Sequence, residues 1–161
     1  MRKTILLLAA LLISVTASAQ FEKDKTYVGA SLTGLNLNSS GIGDLSLGVQ
    51  AKAGYLVDDN LMVFGEAAYN HEGKSDAGDL LSAGVGGRYY IVQNGIFLGA
   101  NCKFIHGFHS YNDVMPGVEV GYAYFISRTV TIEPSIYYQQ SFKNHSDYST
   151  IGFKIGFGVY L

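Results

Sequence analysis

Few residues in this chain have the type and spacing for chemistry. Four histidines, His71, His106, His109 and His145, sit in or beside polar stretches. His106, His109 and His145 would approach a metal only if those stretches fold together, and a metal site needs fixed ligand geometry with supporting hydrogen bonds. His109-Ser110 and His145-Ser146-Asp147 contain the residue types of a serine hydrolase. Adjacent residues on an extended chain point in opposite directions, so neither run is a catalytic unit by itself. No Gly-x-Ser-x-Gly nucleophile elbow is present. The expectation is no catalytic residue, no cofactor and no metal. Cys102 is the only cysteine, so an intramolecular disulfide is impossible, and it reads as a small apolar strand residue.

A second set of charged residues is more telling. Lys52, Glu66, Arg88, Lys103, Glu119, Glu133 and Lys154 come one per segment of alternating polarity. Those segments are the elements that must position them. Period-two alternation recurs over 27–33, 45–55, 61–69, 81–90, 96–104, 117–124, 130–139 and 150–161. In the last, Ile151, Phe153, Ile155, Phe157, Val159 and Leu161 share one face, opposite Gly152, Lys154, Gly156, Gly158 and Tyr160. Each of the seven charges shares its face with Gly, Ser, Asn or Gln, and the aliphatic face carries none. Asn94-Gly95 is a strong hairpin signal, because both positions favour positive φ. Pro134 cannot donate to a ladder and marks a weak point or a bulge in the seventh segment.

The connections alternate as well. Residues 57–60, 92–95 and 127–129 are short, whereas 36–43, 70–79, 107–116 and 142–149 are longer and polar. Long loops at one end and tight turns at the other predict an all-β fold, an eight-stranded antiparallel up-and-down transmembrane β-barrel with both termini on the turn side. A soluble periplasmic β-barrel would also alternate, but its outward face would carry several charges per strand. Tyr55, Tyr69, Tyr89, Tyr122, Tyr124 and Tyr138 fall on the apolar face, most of them near strand ends, as the aromatic girdles of a bilayer barrel do. Counting from the turns predicts Lys52 beside Glu66 and Lys103 beside Glu119. Arg88 would reach Glu66 if the shear shifts the strands by about two residues.

The N-terminus reads as a cleaved signal peptide over residues 1–19: Arg2 and Lys3, an apolar run from Ile5 to Val15, then Ala17-Ser18-Ala19 before Gln20. The barrel domain would then span 20–161. Losing Arg2 and Lys3 leaves nine of eleven cations against thirteen acids, so the net charge moves from −2 to −4. That balance gives no reason to expect nucleic acid as a partner.

Lys154-Ile155-Gly156-Phe157-Gly158-Val159-Tyr160-Leu161, with Gly87-Arg88-Tyr89-Tyr90 and Ile132-Glu133-Pro134-Ser135, resembles the small outer-membrane β-barrel family of the OmpA/OmpX type. The likeness covers essentially the whole chain after the leader. It implies that Lys154, Gly156, Val159 and Leu161 form a terminal signal read by the barrel assembly machinery, with Leu161 standing where the family often ends in Phe. It also implies the outer membrane of a Gram-negative bacterium, with outer-membrane lipid around the barrel.

The function expected is structural or surface-interacting, through adhesion or envelope integrity, with a lumen filled by side chains and no enzymatic activity. Paired charges are then a plug, since eight strands leave room only for side chains. A narrow pore for ions or small solutes is the second reading, and a lipid-modifying barrel enzyme the third. An extracellular partner would meet the loops, where Tyr111 and Tyr148 offer contact area at low entropic cost.

Overall fold

The computed structural model describes residues 21–38, 41–42, 47–71, 80–91, 95–107, 111–142 and 149–161. The leader, Asn94, His109, Ser110, His145, Ser146, Asp147 and Tyr148 lie outside them. The strands are β1 Thr26–Asn38, β2 Gly41–Ile42, β3 Leu47–Asp58, β4 Leu61–His71, β5 Leu80–Tyr90, β6 Ile96–Gly107, β7 Tyr111–Tyr122, β8 Tyr124–Phe125, β9 Val130–Gln139 and β10 Thr150–Tyr160. Each long strand pairs antiparallel with its chain neighbour, and β10 pairs with both β9 and β1. The sheet is therefore a closed barrel of eight strands. Two short segments are appendages: β2 pairs with the distal end of β1, and β8 continues β7 on the edge of β9.

Alternation produces two separate environments. Val28, Leu32, Val63, Leu81, Val85, Leu98, Val118, Ile136 and Phe157 are all about half exposed on the outer wall. No charged side chain interrupts that wall along the described strands until Asp58 ends β3. Tyr55, Tyr89, Tyr122 and Tyr124 lie toward the turn end, while Tyr69 and Tyr138 lie toward the other. The inner wall carries the polar and glycine positions.

The register fixes how far the strands slide past one another. Followed from partner to partner, Tyr27 leads through Gly54, Phe64, Gly86, Asn101, Gly117, Gln139 and Thr150 back to Asn38. The return lands eleven residues along β1, one of which is the extra residue of a bulge between Thr33 and Leu35. The shear is thus ten, which on eight strands tilts them by roughly 40–45°. A hydrogen-bonded row spirals from the turn end toward the loop end.

Two local expectations change. The stretch 107–116 is not a long loop: β6 runs to Gly107 and β7 begins at Tyr111. Alternation simply continues there, with Asp113 and Met115 buried and Val114 exposed. Pro134 makes no bulge, since it sits in register opposite Ile155. Its effect falls on the other edge. Gln140 N donates to Pro116 O, so even-numbered β9 residues direct their main-chain groups toward β7. The partner of Pro134 there is Tyr122, and the β7 ladder stops at Gly121 and resumes at Tyr124. A missing N–H explains the gap between β7 and β8. Gly95 has φ +82, and a Cβ there would meet Ala123 O at 2.7 Å, so this turn position takes only glycine.

Candidate functional site: the charged lumen

Inward positions of neighbouring strands bring charges face to face. Lys52 and Glu66 are direct ladder partners on β3 and β4, with Nζ 3.6 Å from Oε2. Glu66 also accepts hydrogen bonds from Gln50 Nε2 at 2.5 Å and Asn101 Nδ2 at 2.6 Å, and Lys103 Nζ lies 3.6 Å from its Oε1. Glu119 on β7 receives Arg88 through Nη2 at 2.8 Å and Nε at 3.1 Å, and Lys52 Nζ at 3.2 Å. Its second oxygen meets Lys154 Nζ at 2.5 Å. Glu133 on β9 accepts from Arg88 Nη1 at 2.7 Å, Tyr27 OH at 2.9 Å, Thr131 Oγ1 at 2.8 Å and Tyr160 OH at 3.1 Å.

All seven side chains are thereby engaged by partners of opposite charge. Six are almost fully buried, and Lys103 retains 14% exposure. Such burial is tolerable only because every carboxylate meets cations or hydroxyl donors, since an unpaired charge here would lose its hydration without return. Small neighbours make the room. A Cβ on Gly99 would meet Glu119 Cγ at 2.5 Å, and one on Gly158 would meet the Tyr27 ring at 2.5 Å. The Arg88 guanidinium lies 3.9 Å from the centroid of the Phe97 ring, which covers the face its hydrogen bonds leave free.

Two pairings differ from the count along the sequence. Lys103 meets Glu66 and not Glu119, because β7 extends farther at the loop end than its alternation suggested. Glu119 is consequently opposite Gly99, four residues nearer the turns than Lys103. Arg88 meets Glu119 and Glu133 and not Glu66, because its own ladder partner on β4 is Met62.

Sequence reasoning missed two groups. Asp113 is a further inward acid, 6% exposed, whose Oδ2 accepts from Ser141 Oγ at 2.5 Å. With it, the described lumen holds four acids and four bases. Its position in the alternation could have found it, but Asn112-Asp113 and Pro116 resemble turn chemistry. The second group is an apolar layer closing the turn end: Phe21, Tyr27, Leu56, Met62, Phe64, Tyr90, Phe97, Ala123 and Tyr160. Met62, Phe64, Tyr90 and Tyr160 all lie on the face read as polar, and their size was the available signal. Tyr160 joins the layers, since its hydroxyl bonds both Tyr90 OH at 2.7 Å and Glu133.

Between the charges, Tyr27, Lys52, Arg88, Glu133, Ser135 and Lys154 line a cavity of about 10 Å³. That is room for one water. The remaining chemistry candidates do not converge in the described residues. His106 is exposed on the outer wall and shares a 2.7 Å hydrogen bond with Asn112. His71 ends β4, and Cys102 is exposed on the outer wall.

Comparison with known proteins points one way. A family model described as an outer membrane protein beta-barrel domain matches residues 5–160. No curated protein matches the chain. Neisserial surface protein A aligns with a TM-score of 0.59 at 17% identity, over 84% of this chain and 96% of that one. Ail, the attachment invasion locus protein of Yersinia pestis, aligns at 0.55 and 15% identity, over 86% and 99%. A second Ail structure is a complex with the heparin analogue sucrose octasulfate. The outer membrane protein OprG from Pseudomonas aeruginosa aligns at 0.54 and 11% identity, over 89% and 99%. At such identities the likeness is one of fold.

Proposed function

We propose, from the premise that this chain belongs to the outer membrane protein β-barrel family, that it is a non-conducting, non-enzymatic barrel of a Gram-negative outer membrane. Its role is structural or surface-interacting: it presents its loops outside and contributes to envelope integrity. The single observation that carries this reading is the double closure of the lumen. Paired charges cross it, and an aromatic layer seals the turn end. The described lumenal glutamates are each held by cations, so none is poised as a general acid or base toward an entering substrate.

Planar-bilayer recording tests the reading. The purified protein should insert without steady open events, and Glu66→Gln or Arg88→Ala should not remove a conductance that the parent lacks. Regular openings in the parent, abolished by either substitution, would establish the pore instead. Altered lipid A in overexpressing cells would do the same for the enzyme.

Three finer features belong to the same proposal. Residues 1–19 are removed on export, leaving Gln20 first. The barrel assembly machinery reads Lys154, Gly156, Val159 and Leu161. What supports this is the place of β10, which closes the ring, and the mutual main-chain bonds of Leu161 and Thr26 at 2.8 and 2.9 Å. An extracellular partner meets the loop end. The Ail complex makes a sulfated glycan the first ligand to try, with binding by intact cells as readout.

A further inference from the structure

Phe21 lies five residues before β1, yet it is 3% exposed. Its ring stacks on Tyr90 with centroids 3.8 Å apart and planes 11° apart. It meets Tyr160 and Phe125 edge-on, at 5.5 and 5.4 Å. These three rings come from β5, β10 and β8, remote segments that only the closed barrel assembles in one place. The residues that follow are exposed or half-buried and run over the rim. Asn60 N donates to Phe21 O at 2.8 Å, Lys23 N to Asp59 Oδ1 at 2.9 Å, Asp24 N to Leu56 O at 2.9 Å, and Tyr55 OH to Asp24 Oδ1 at 2.8 Å. Every one of these ties goes to the hairpin joining β3 and β4.

We propose that residues 21–24 form a removable cork in the turn-side mouth, and that its seat is a binding site for an aromatic ring, filled in cis by Phe21. The asymmetry of attachment supports removal. Barrel strands are held along both edges, whereas the four ties of residues 21–24 run to one hairpin. Leu56 N donates to Lys25 O at 2.9 Å in the β1–β3 register, so the strap lifts only as far as Lys25 and leaves that ladder whole. The seat does not exist before β10 meets β1, so the cork seats only after closure. The ligand class follows from the lining: a flat apolar ring stacked on one phenol and flanked by two ring edges. Lifting the ring exposes Tyr90 and Met62 to water on the turn side.

Cysteine accessibility in the full-length folded protein in detergent tests this. Cys102→Ala removes the exposed native thiol, and Met62→Cys places a reporter in the same buried cluster, where Met62 is 0% exposed and its sulfur lies 3.9 Å from the hydroxyl of Tyr90, the ring that Phe21 covers. A charged methanethiosulfonate reagent should modify it slowly while Phe21 is present. Phe21→Ala should raise the rate roughly tenfold or more, since it removes the whole buried ring. Added toluene should slow that variant back toward the parent. Tyr55→Phe, which removes only the exposed tie to Asp24, should give a smaller rise of a few-fold. That variant decides the matter if Phe21→Ala fails to fold. Parental rates in Tyr55→Phe, or in a folded Phe21→Ala, would overturn the cork. Toluene without effect on Phe21→Ala would overturn the ring site.

Discussion

Arg88 spans two carboxylates because its guanidinium presents donors in a fixed planar fork. One edge serves Glu119 and the remaining nitrogen serves Glu133. Replacing it leaves two buried acids short of a cation, so Arg88→Ala should lower stability by about 3–5 kcal/mol. Arg88→Lys should recover only part of that, because an ammonium cannot hold both acids in the same geometry. Lys103 offers a contrast: it is the most exposed of the set and meets one acid at 3.6 Å. Lys103→Met should cost about 1 kcal/mol or less. Urea unfolding in lipid vesicles, followed by the fraction of folded mobility on gels, measures all three. The face that each of these residues occupies was legible, because it follows from odd or even position in a strand. Of the partners, Lys52 beside Glu66 across a tight turn was legible, but Lys52 to Glu119 and Arg88 to Glu133 were not, because they are contacts across the lumen between strands that never pair.

A strand of this barrel has a depth axis, and the register assigns positions on it. Val49 is the partner of Tyr69, near the loop-end girdle, whereas Val85 sits mid-strand between Gly65 and Cys102 and is 68% exposed. An arginine facing hydrocarbon costs most at the bilayer midplane. Val85→Arg should therefore destabilise by about 2–4 kcal/mol and Val49→Arg by about 1 kcal/mol or less. The same vesicle titration reads both, and equal losses would contradict the depth order. Element boundaries were less legible than element existence. Turn-type residues at 112, 113 and 116 hid the outer half of β7, where a polar lumen accepts Asp113 without ending the strand. Pro134 was legible as a defect, but only the direction of its missing N–H decides that it interrupts β7 and β8 and leaves β10 in register.

A closed ring has no free end from which to unzip, so the whole molecule should resist detergent until heated. Unheated samples should migrate differently from boiled ones on detergent gels, and identical migration would contradict the closed barrel. Closure also concentrates interactions at its seam. Tyr27 on β1 and Tyr160 on β10 both donate to Glu133 on β9, which Arg88 holds from β5, so one carboxylate ties the three contiguous strands of the seam to a strand across the lumen. Alternation, strand number, the charge-free outer face and the small-residue inner face were all determined by the sequence itself, because each is a local property of ten or so residues. The shear of ten, the cross-lumen ion pairs and the seat of Phe21 were decided only by the tertiary structure. They depend on how far eight strands slide before the ring closes, and no segment carries that distance alone.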